Sequence, residues 1–300
     1  MDQIFEEIRL NGLVPVLKFQ KASDAAPTCE ALRRGGLNVA EITFRTDAAE
    51  ASIQAVCRAM PDMLVGAGTV TRIEQAERAV AAGARFIVAP GFNPRIVSWC
   101  VEHGVAVLPG VSSPSEIEAA MEFGLQYLKF FPAEALGGVR FIKALRGPYS
   151  GVSFVPTGGV SEENLLEYLS TPGVAACGGS WMVPAAAIEN GEYDAVAALV
   201  RRAVLKMLDF RFAHVGVNTE EEGKALAAAD RYARLFGFAV KAGGSSVMAG
   251  GALEFTKTHF PGEHGHIGIQ TADIGRAKHF LGRAGVEFDE ASAKTDAKGK

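Results

Sequence analysis

Eight short apolar runs, each followed by a helical stretch, constrain this chain more than anything else in it. The runs are Leu13–Leu17, Val39–Phe44, Leu64–Ala67, Phe86–Ala89, Ala106–Leu108, Tyr127–Phe131, Ser153–Val155 and Val174–Cys177. After an opening helix at Asp2–Leu10, helical patterns follow them at Ser23–Arg34, Ala48–Ala59, Arg72–Ala82, Pro94–His103, Pro114–Phe123, Gly138–Leu145, Glu162–Ser170 and Tyr193–Leu208. Strands apolar on nearly every residue and separated by helices form parallel sheets buried on both faces. Eight such units within about 200 residues predict an α/β fold, a closed (β/α)8 TIM barrel near its lower size limit. The rival is an open doubly wound sheet. It lacks its usual signature here, since Lys18-Phe19-Gln20-Lys21 after the first strand is not glycine-rich.

In such a fold the reactive groups gather at the C-terminal strand ends. One of them, Tyr127-Leu128-Lys129-Phe130-Phe131-Pro132-Ala133-Glu134, carries a lysine inside an apolar run. Lys129 either turns out to solvent from an edge strand or sits inside as a reactive amine. An amine stripped of water can lose its proton near neutral pH and attack a carbonyl carbon. Along Val39–Arg45, the period of two puts Glu41, Thr43 and Arg45 on one face. Glu41 then reads as a proton carrier and Arg45 as a bidentate ligand for a carboxylate, unless the two merely neutralise each other. Glycine pairs close two later strands, in Thr157-Gly158-Gly159-Val160-Ser161 and Gly178-Gly179-Ser180. With a helix opening at Ser161, these match the usual phosphate position after the seventh and eighth strands and point to a phosphorylated substrate.

Composition narrows the classes. A net charge of −4 over 300 residues gives no basic footprint, so no nucleic-acid partner is expected. Four scattered cysteines, without CxxC spacing, fit a reduced cytoplasmic protein. The N-terminus, with its acidic Asp2, Glu6 and Glu7, does not resemble a signal peptide. No apolar run reaches the roughly 18 residues of a membrane span, so no membrane partner is expected.

Residues 5 to about 207 resemble the 2-dehydro-3-deoxy-phosphogluconate (KDPG) aldolases, also called 4-hydroxy-2-oxoglutarate (KHG) aldolases, of the Entner–Doudoroff pathway. The matching stretches are Glu41-Ile42-Thr43-Phe44-Arg45-Thr46, Val65-Gly66-Ala67-Gly68-Thr69-Val70, Pro90-Gly91, Lys129–Glu134, Pro156-Thr157-Gly158-Gly159-Val160 and Gly178-Gly179-Ser180-Trp181. The resemblance implies a class I aldolase that needs no cofactor or metal in the barrel and works through a covalent Schiff base on Lys129. It implies Glu41 as acid–base group and Arg45 and Thr69 as ligands of the pyruvyl carboxylate. Pro90 and Phe131 would be further substrate contacts, and Thr157, Gly158, Gly159, Gly179 and Ser180 the phosphate cradle. KDPG would yield pyruvate and glyceraldehyde 3-phosphate; KHG would yield pyruvate and glyoxylate. A cytoplasmic homotrimer is the family norm. Lys18, at a strand end, and Lys143, in a helix, are the competing lysines. The alternatives are the galactonate epimer of the substrate, another phosphosugar barrel such as an isomerase that uses Glu41 directly, and a non-catalytic phosphosugar-binding protein.

The barrel is expected to occupy residues 1–208 and a smaller C-terminal α+β domain residues 209–300. There Arg211–Val217 reads as a strand, Glu220–Phe236 as a helix and Phe238–Phe255 as two or three short strands. The order restarts at Gly265–Ile269, with a helix at Ile274–Ala284 and a strand at Val286–Phe288. His214-Val215-Gly216-Val217 and His266-Ile267-Gly268-Ile269 open the two cycles as an internal repeat. The pattern resembles the βαβββ modules of the vicinal oxygen chelate, or glyoxalase-like, superfamily. That superfamily often binds a metal through its first and last strands, which makes His214, Glu254 and His266 candidate ligands. The second module reads as cut short, with a polar tail at Lys294–Lys300, and no separate activity is expected of it.

Overall fold

Val39–Thr43 and Leu64–Gly68 are buried at every residue, as strands covered on both faces must be. In the computed structural model, which describes residues 2–260 and 262–293, they belong to a run of nine parallel strand segments. These are β1 (Leu13–Leu17), β2 (Val39–Thr43), β3 (Leu64–Gly68), β4 (Phe86–Val88), β5 (Ala106–Leu108), β6 (Gly110–Val111), β7 (Tyr127–Phe130), β8 (Ser153–Pro156) and β9 (Cys177–Gly179). One six-stranded sheet has the order β5-β4-β3-β2-β1-β9, and a three-stranded sheet has the order β6-β7-β8. Only Pro109 separates β5 from β6, and isolated parallel bridges join Phe154 to Val174 and Thr157 to Gly178. With helices between the strands, this is a mixed α/β fold built on parallel sheets.

The helix Asp2–Asn11 closes the N-terminal side of the core. Phe5 and Ile8 join Val14, Val39, Leu64, Phe86, Leu108 and Val155 in one buried cluster, and Phe5 stacks on Tyr127 at 4.6 Å between centroids. The apolar plug leaves the C-terminal strand ends for polar groups, where ligands of parallel α/β sheets bind.

Three local expectations change. The run expected at Ala106–Leu108 does not end there: after Pro109 the chain resumes as a strand, because Gly110 and Val111 pair with Lys129 and Phe130. The helix read from Glu162 begins only at Leu165 and ends at Leu169. Asn164 intercepts its start: Oδ1 accepts from the Ser161 N–H at 2.8 Å and Nδ2 donates to the Gly159 carbonyl at 3.0 Å. Such side chain–backbone bonds compete with helical ones. The strand read at Val286–Phe288 is irregular chain, with both apolar residues exposed.

The chain separates into two compact units, but the division differs from 1–208 and 209–300. One unit comprises the chain up to Leu208 together with the segment that begins at Asp273; the other is Asp209–Ala272. The helix Ile274–Arg283 clusters with the first unit through Arg276, which is only 5% exposed. Its Nε donates to the Arg9 carbonyl at 3.0 Å and its Nη2 to the Ala175 carbonyl at 2.8 Å, with Asp273 Oδ2 3.9 Å from Nη1. Burial lowers the Arg276 pKa from its usual value. The polar tail expected at Lys294–Lys300 lies outside the described residues.

The unit Asp209–Ala272 has the expected βαβββ order: β10 (Arg211–Asn218), a helix at Glu222–Phe236, then β11 (Val240–Ala242), β12 (Ser246–Ala249) and β13 (Leu253–Thr256). A further strand, β14 (His266–Gln270), completes the sheet order β11-β12-β13-β10-β14. Ala225 and Ala229 of the helix pack on Val247, Ala249 and Phe255.

Arg276→Met should lower the stability of the first unit by about 2–3 kcal/mol, because it strands two carbonyls that lose their donors. For a unit of this size that is a fall in Tm of about 4–12 °C. A melting curve identical to wild type would show that the helix Ile274–Arg283 is a passive passenger.

Candidate active site

Lys129 in β7 is 6% exposed and Glu41 in β2 is 3% exposed, so neither side chain reaches bulk water. Lys129 Nζ lies 3.3 Å from Glu41 Oε1. The pairing decides two questions the sequence leaves open. Lys129 is not a solvent-facing edge residue, and Glu41 is engaged by the lysine rather than neutralised by Arg45. The Arg45 guanidinium instead donates from Nε to Thr43 Oγ1 at 3.2 Å, and Thr43 Oγ1 donates to the Leu17 carbonyl at 2.8 Å. The competing lysines, Lys18 and Lys143, are both exposed.

Lys129 and Glu41 line a cavity of about 300 Å³ at the C-terminal strand ends. Arg45, Thr69, Pro90 and Phe131 share that lining, with the Phe131 ring centroid 5.4 Å from Lys129 Nζ. Thr69 has φ 57°, a left-handed conformation that is unusual for a β-branched residue. Strain of this kind concentrates at functional sites. Thr157, Gly158, Gly159, Gly179 and Ser180 line the same cavity, so every residue read from the sequence as a barrel site residue borders one space. Among the described residues, the N–H of Gly159 has no partner, while Gly158 takes part in the parallel bridge of Thr157 to Gly178. Two cations against one carboxylate suit an anionic ligand.

A family model for KDPG and KHG aldolases matches residues 4–199. The chain belongs to the KDPG and KHG aldolase family. It is similar to the 2-dehydro-3-deoxy-phosphogluconate aldolase of Treponema pallidum (strain Nichols), at 49% identity over 68% of this chain and 97% of that protein. A crystal structure of KDPG aldolase from Legionella pneumophila, with pyruvate captured as a covalent carbinolamine intermediate, superposes with a TM-score of 0.65 and 38% identity over 67% of this chain and 98% of that one. The KDPG aldolase of Zymomonas mobilis with 3-phosphoglycerate gives a TM-score of 0.63 and 36% identity over 68% and 95% of the two chains.

Within this family member, the sequence reading overlooked three lining residues: Val16, Val160 and Trp181. Trp181 follows the Gly-Gly-Ser stretch and was legible as a neighbour, while Val16 and Val160 look like ordinary core residues. The Gly158–Gly159 loop does not run straight into the helix expected at Glu162–Ser170, since that helix spans only Leu165–Leu169.

The unit Asp209–Ala272 holds a second polar cluster. His214 Nε2, Glu254 Oε2 and His266 Nε2 lie 3.1 Å from one another in every pair. They come from β10, β13 and β14, where Gly216 is in register with both Glu254 and His266, and His214 with Gly268. A Cβ on Gly216 would stand 1.9 Å from the His266 ring, and one on Gly268 2.5 Å from the His214 ring. The two His-x-Gly repeats thus make room for each other's imidazoles. The second carboxylate oxygen of Glu254 accepts from Ser246 Oγ at 2.5 Å.

Proposed function

We propose that the chain is a Schiff-base aldolase that cleaves KDPG to pyruvate and glyceraldehyde 3-phosphate, and also KHG to pyruvate and glyoxylate. The observation that carries this reading is the buried Lys129–Glu41 pair at 3.3 Å, set in a cavity with an arginine on one side and a glycine loop on the other. The covalent pyruvate of the Legionella pneumophila enzyme supports the lysine chemistry, and the 3-phosphoglycerate of the Zymomonas mobilis enzyme supports an anionic phosphorylated ligand. The gluconate epimer is favoured over the galactonate one by the 49% identity to a gluconate-named enzyme. On the same footing we read the two parallel sheets, with their bridges between β8 and the chain entering β9, as one (β/α)8 barrel. The homotrimer and the cytoplasmic location are carried over from the family.

Moving one proton from Lys129 to Glu41 produces at once a neutral amine and a carboxylic acid. The amine attacks C2 of the 2-oxo acid, whose carboxylate lies against Arg45 and Thr69, and a proton passes from the added nitrogen to the C2 oxygen to give the neutral carbinolamine. Glu41 protonates the departing hydroxyl of the carbinolamine, water leaves, and a cationic imine remains. The Glu41 carboxylate then removes the proton from the C4 hydroxyl, the C3–C4 bond breaks, and its electron pair moves through C3 and C2 to the imine nitrogen. The aldehyde departs with its phosphate from the Gly158–Gly159 loop. Glu41 returns the proton to C3 of the enamine, and hydrolysis frees pyruvate and the lysine.

Borohydride added in the presence of pyruvate should convert Lys129 alone into N-(1-carboxyethyl)lysine, located by peptide mass mapping. Glu41→Gln should retain the fold and lose about 10²–10⁴-fold in kcat, the usual worth of an acid–base group. Label on Lys18 or Lys143, or full activity in Lys129→Ala, would refute the mechanism. Pyruvate release from the gluconate and galactonate epimers, measured in parallel, decides the C4 configuration.

We also propose that His214, Glu254 and His266 hold one divalent transition-metal ion. Tetrahedral zinc sites with bonds of 2.0–2.1 Å keep their donors about 3.3 Å apart, close to the spacing here. Three protein ligands leave a coordination position open, so a bound ion would supply a Lewis acid. The Ser246 hydroxyl would orient Glu254. Dialysis of the full chain against zinc should leave one equivalent per chain by elemental analysis, and the double variant His214→Ala, His266→Ala should retain none. Equal zinc in both proteins would refute the site.

A further inference from the structure

Two side chains that do not line the cavity grip the phosphate loop from behind. Glu134 follows the Lys129 strand by way of Phe131 and Pro132, and its N–H donates to the Gly158 carbonyl at 3.0 Å. The neighbouring Ala133 N–H donates to the Thr157 carbonyl at 2.8 Å. The Glu134 side chain occupies the space that a Cβ on Gly159 would need, with its Cγ 2.4 Å and its Cβ 2.5 Å from that point. Gly159 has φ +86°, so its backbone course and its close approach to Glu134 both exclude a larger residue.

The carboxylate of Glu134 is in turn pinned, because the Tyr168 hydroxyl donates to Glu134 Oε1. Tyr168 is fully buried in the helix Leu165–Leu169. Burial and the Glu134 hydrogen bond push its ionisation upward, so the phenol stays a neutral donor throughout the physiological range. From the other flank, Asn164 holds the Gly159 carbonyl and the Ser161 N–H. The loop therefore has fixed neighbours on both sides, while the N–H of Gly159 stays free.

We propose that Glu134 and Tyr168 are positioning residues for phosphate recognition. Locked to each other, they hold the Gly158–Gly159 backbone in the conformation that presents the Gly159 N–H to the ligand, and they tie that loop to the strand bearing Lys129. Neither touches the substrate. The inference rests on the phosphorylated-substrate reading above.

The two substrates separate a positioning role from a structural one, since KHG carries no phosphate. Tyr168→Phe and Glu134→Ala should each raise KM for KDPG about tenfold, the loss of roughly one hydrogen bond's worth of binding, and leave kcat and KM for KHG within about twofold. Glu134→Gln keeps an oxygen acceptor and the aliphatic stem, so it should restore most of the KDPG affinity. Inorganic phosphate should inhibit KHG cleavage by the wild type and do so about tenfold more weakly in Tyr168→Phe. Parallel rises in KM for both substrates, or a Tyr168→Phe enzyme indistinguishable from wild type, would overturn the positioning role. A wild type that cleaves neither compound, or that phosphate does not inhibit, would instead refute the reading beneath it.

Discussion

The ion pair between Lys129 and Glu41 is the constraint on which the larger unit depends. Either charge alone, at 6% or 3% exposure, would carry a desolvation cost that no folded protein leaves uncompensated. Together at 3.3 Å they compensate each other across 88 positions of sequence. Glu41 belongs to the six-stranded sheet and Lys129 to the three-stranded one, so the pair also couples the two sheets at their C-terminal ends. Every strand between them must keep its register for the two groups to meet. The proposed chemistry and the integrity of the fold thus rest on the same contact.

Much of this was legible because both residues break an otherwise apolar pattern. A charged side chain inside a strand-like run conflicts with local rules, and such conflicts mark functional positions. The period of two also placed Glu41 and Arg45 on one face, and both line the cavity. The failures have equally local causes. Gly110–Val111 is too short for any periodicity, and its strand character comes from pairing with Lys129 and Phe130. Val286–Phe288 has the apolar composition of a strand, but no sheet edge receives it. The helix at Glu162 was lost to the Asn164 side chain, whose bonds to Ser161 and Gly159 depend on a loop shape that the sequence alone does not reveal.

The unit boundary failed for a different reason. Arg276 sits in an amphipathic helix of ordinary appearance, and nothing nearby in sequence signals that its guanidinium ends against the carbonyls of Arg9 and Ala175. Long-range bonds to backbone carbonyls leave no pattern, since every residue offers a carbonyl. The His-x-Gly repeat shows the opposite case. Its two copies were readable as a repeat, and the pairing of β10 with β14 turns that repeat into reciprocal packing of each imidazole over the other strand's glycine.

The stretch from Lys129 to Glu134 connects the two ends of the proposed substrate. Its first residue carries the amine proposed to bond to C2, and its last lies against Gly159 in the loop proposed to take the phosphate. Ala133 and Glu134 are hydrogen-bonded to Thr157 and Gly158, so the proposed covalent and phosphate anchors sit on segments tied to each other. A ligand held at both ends has the length between its C2 and its phosphate measured by this backbone, and the C3–C4 bond is presented to Glu41 without a further search. KHG, lacking a phosphate, would engage only the lysine end. It gains the same covalent activation but not the alignment supplied by the loop. On the proposed roles, discrimination between the two compounds resides in the stiffness of six residues and their neighbours rather than in any contact to the bond that breaks.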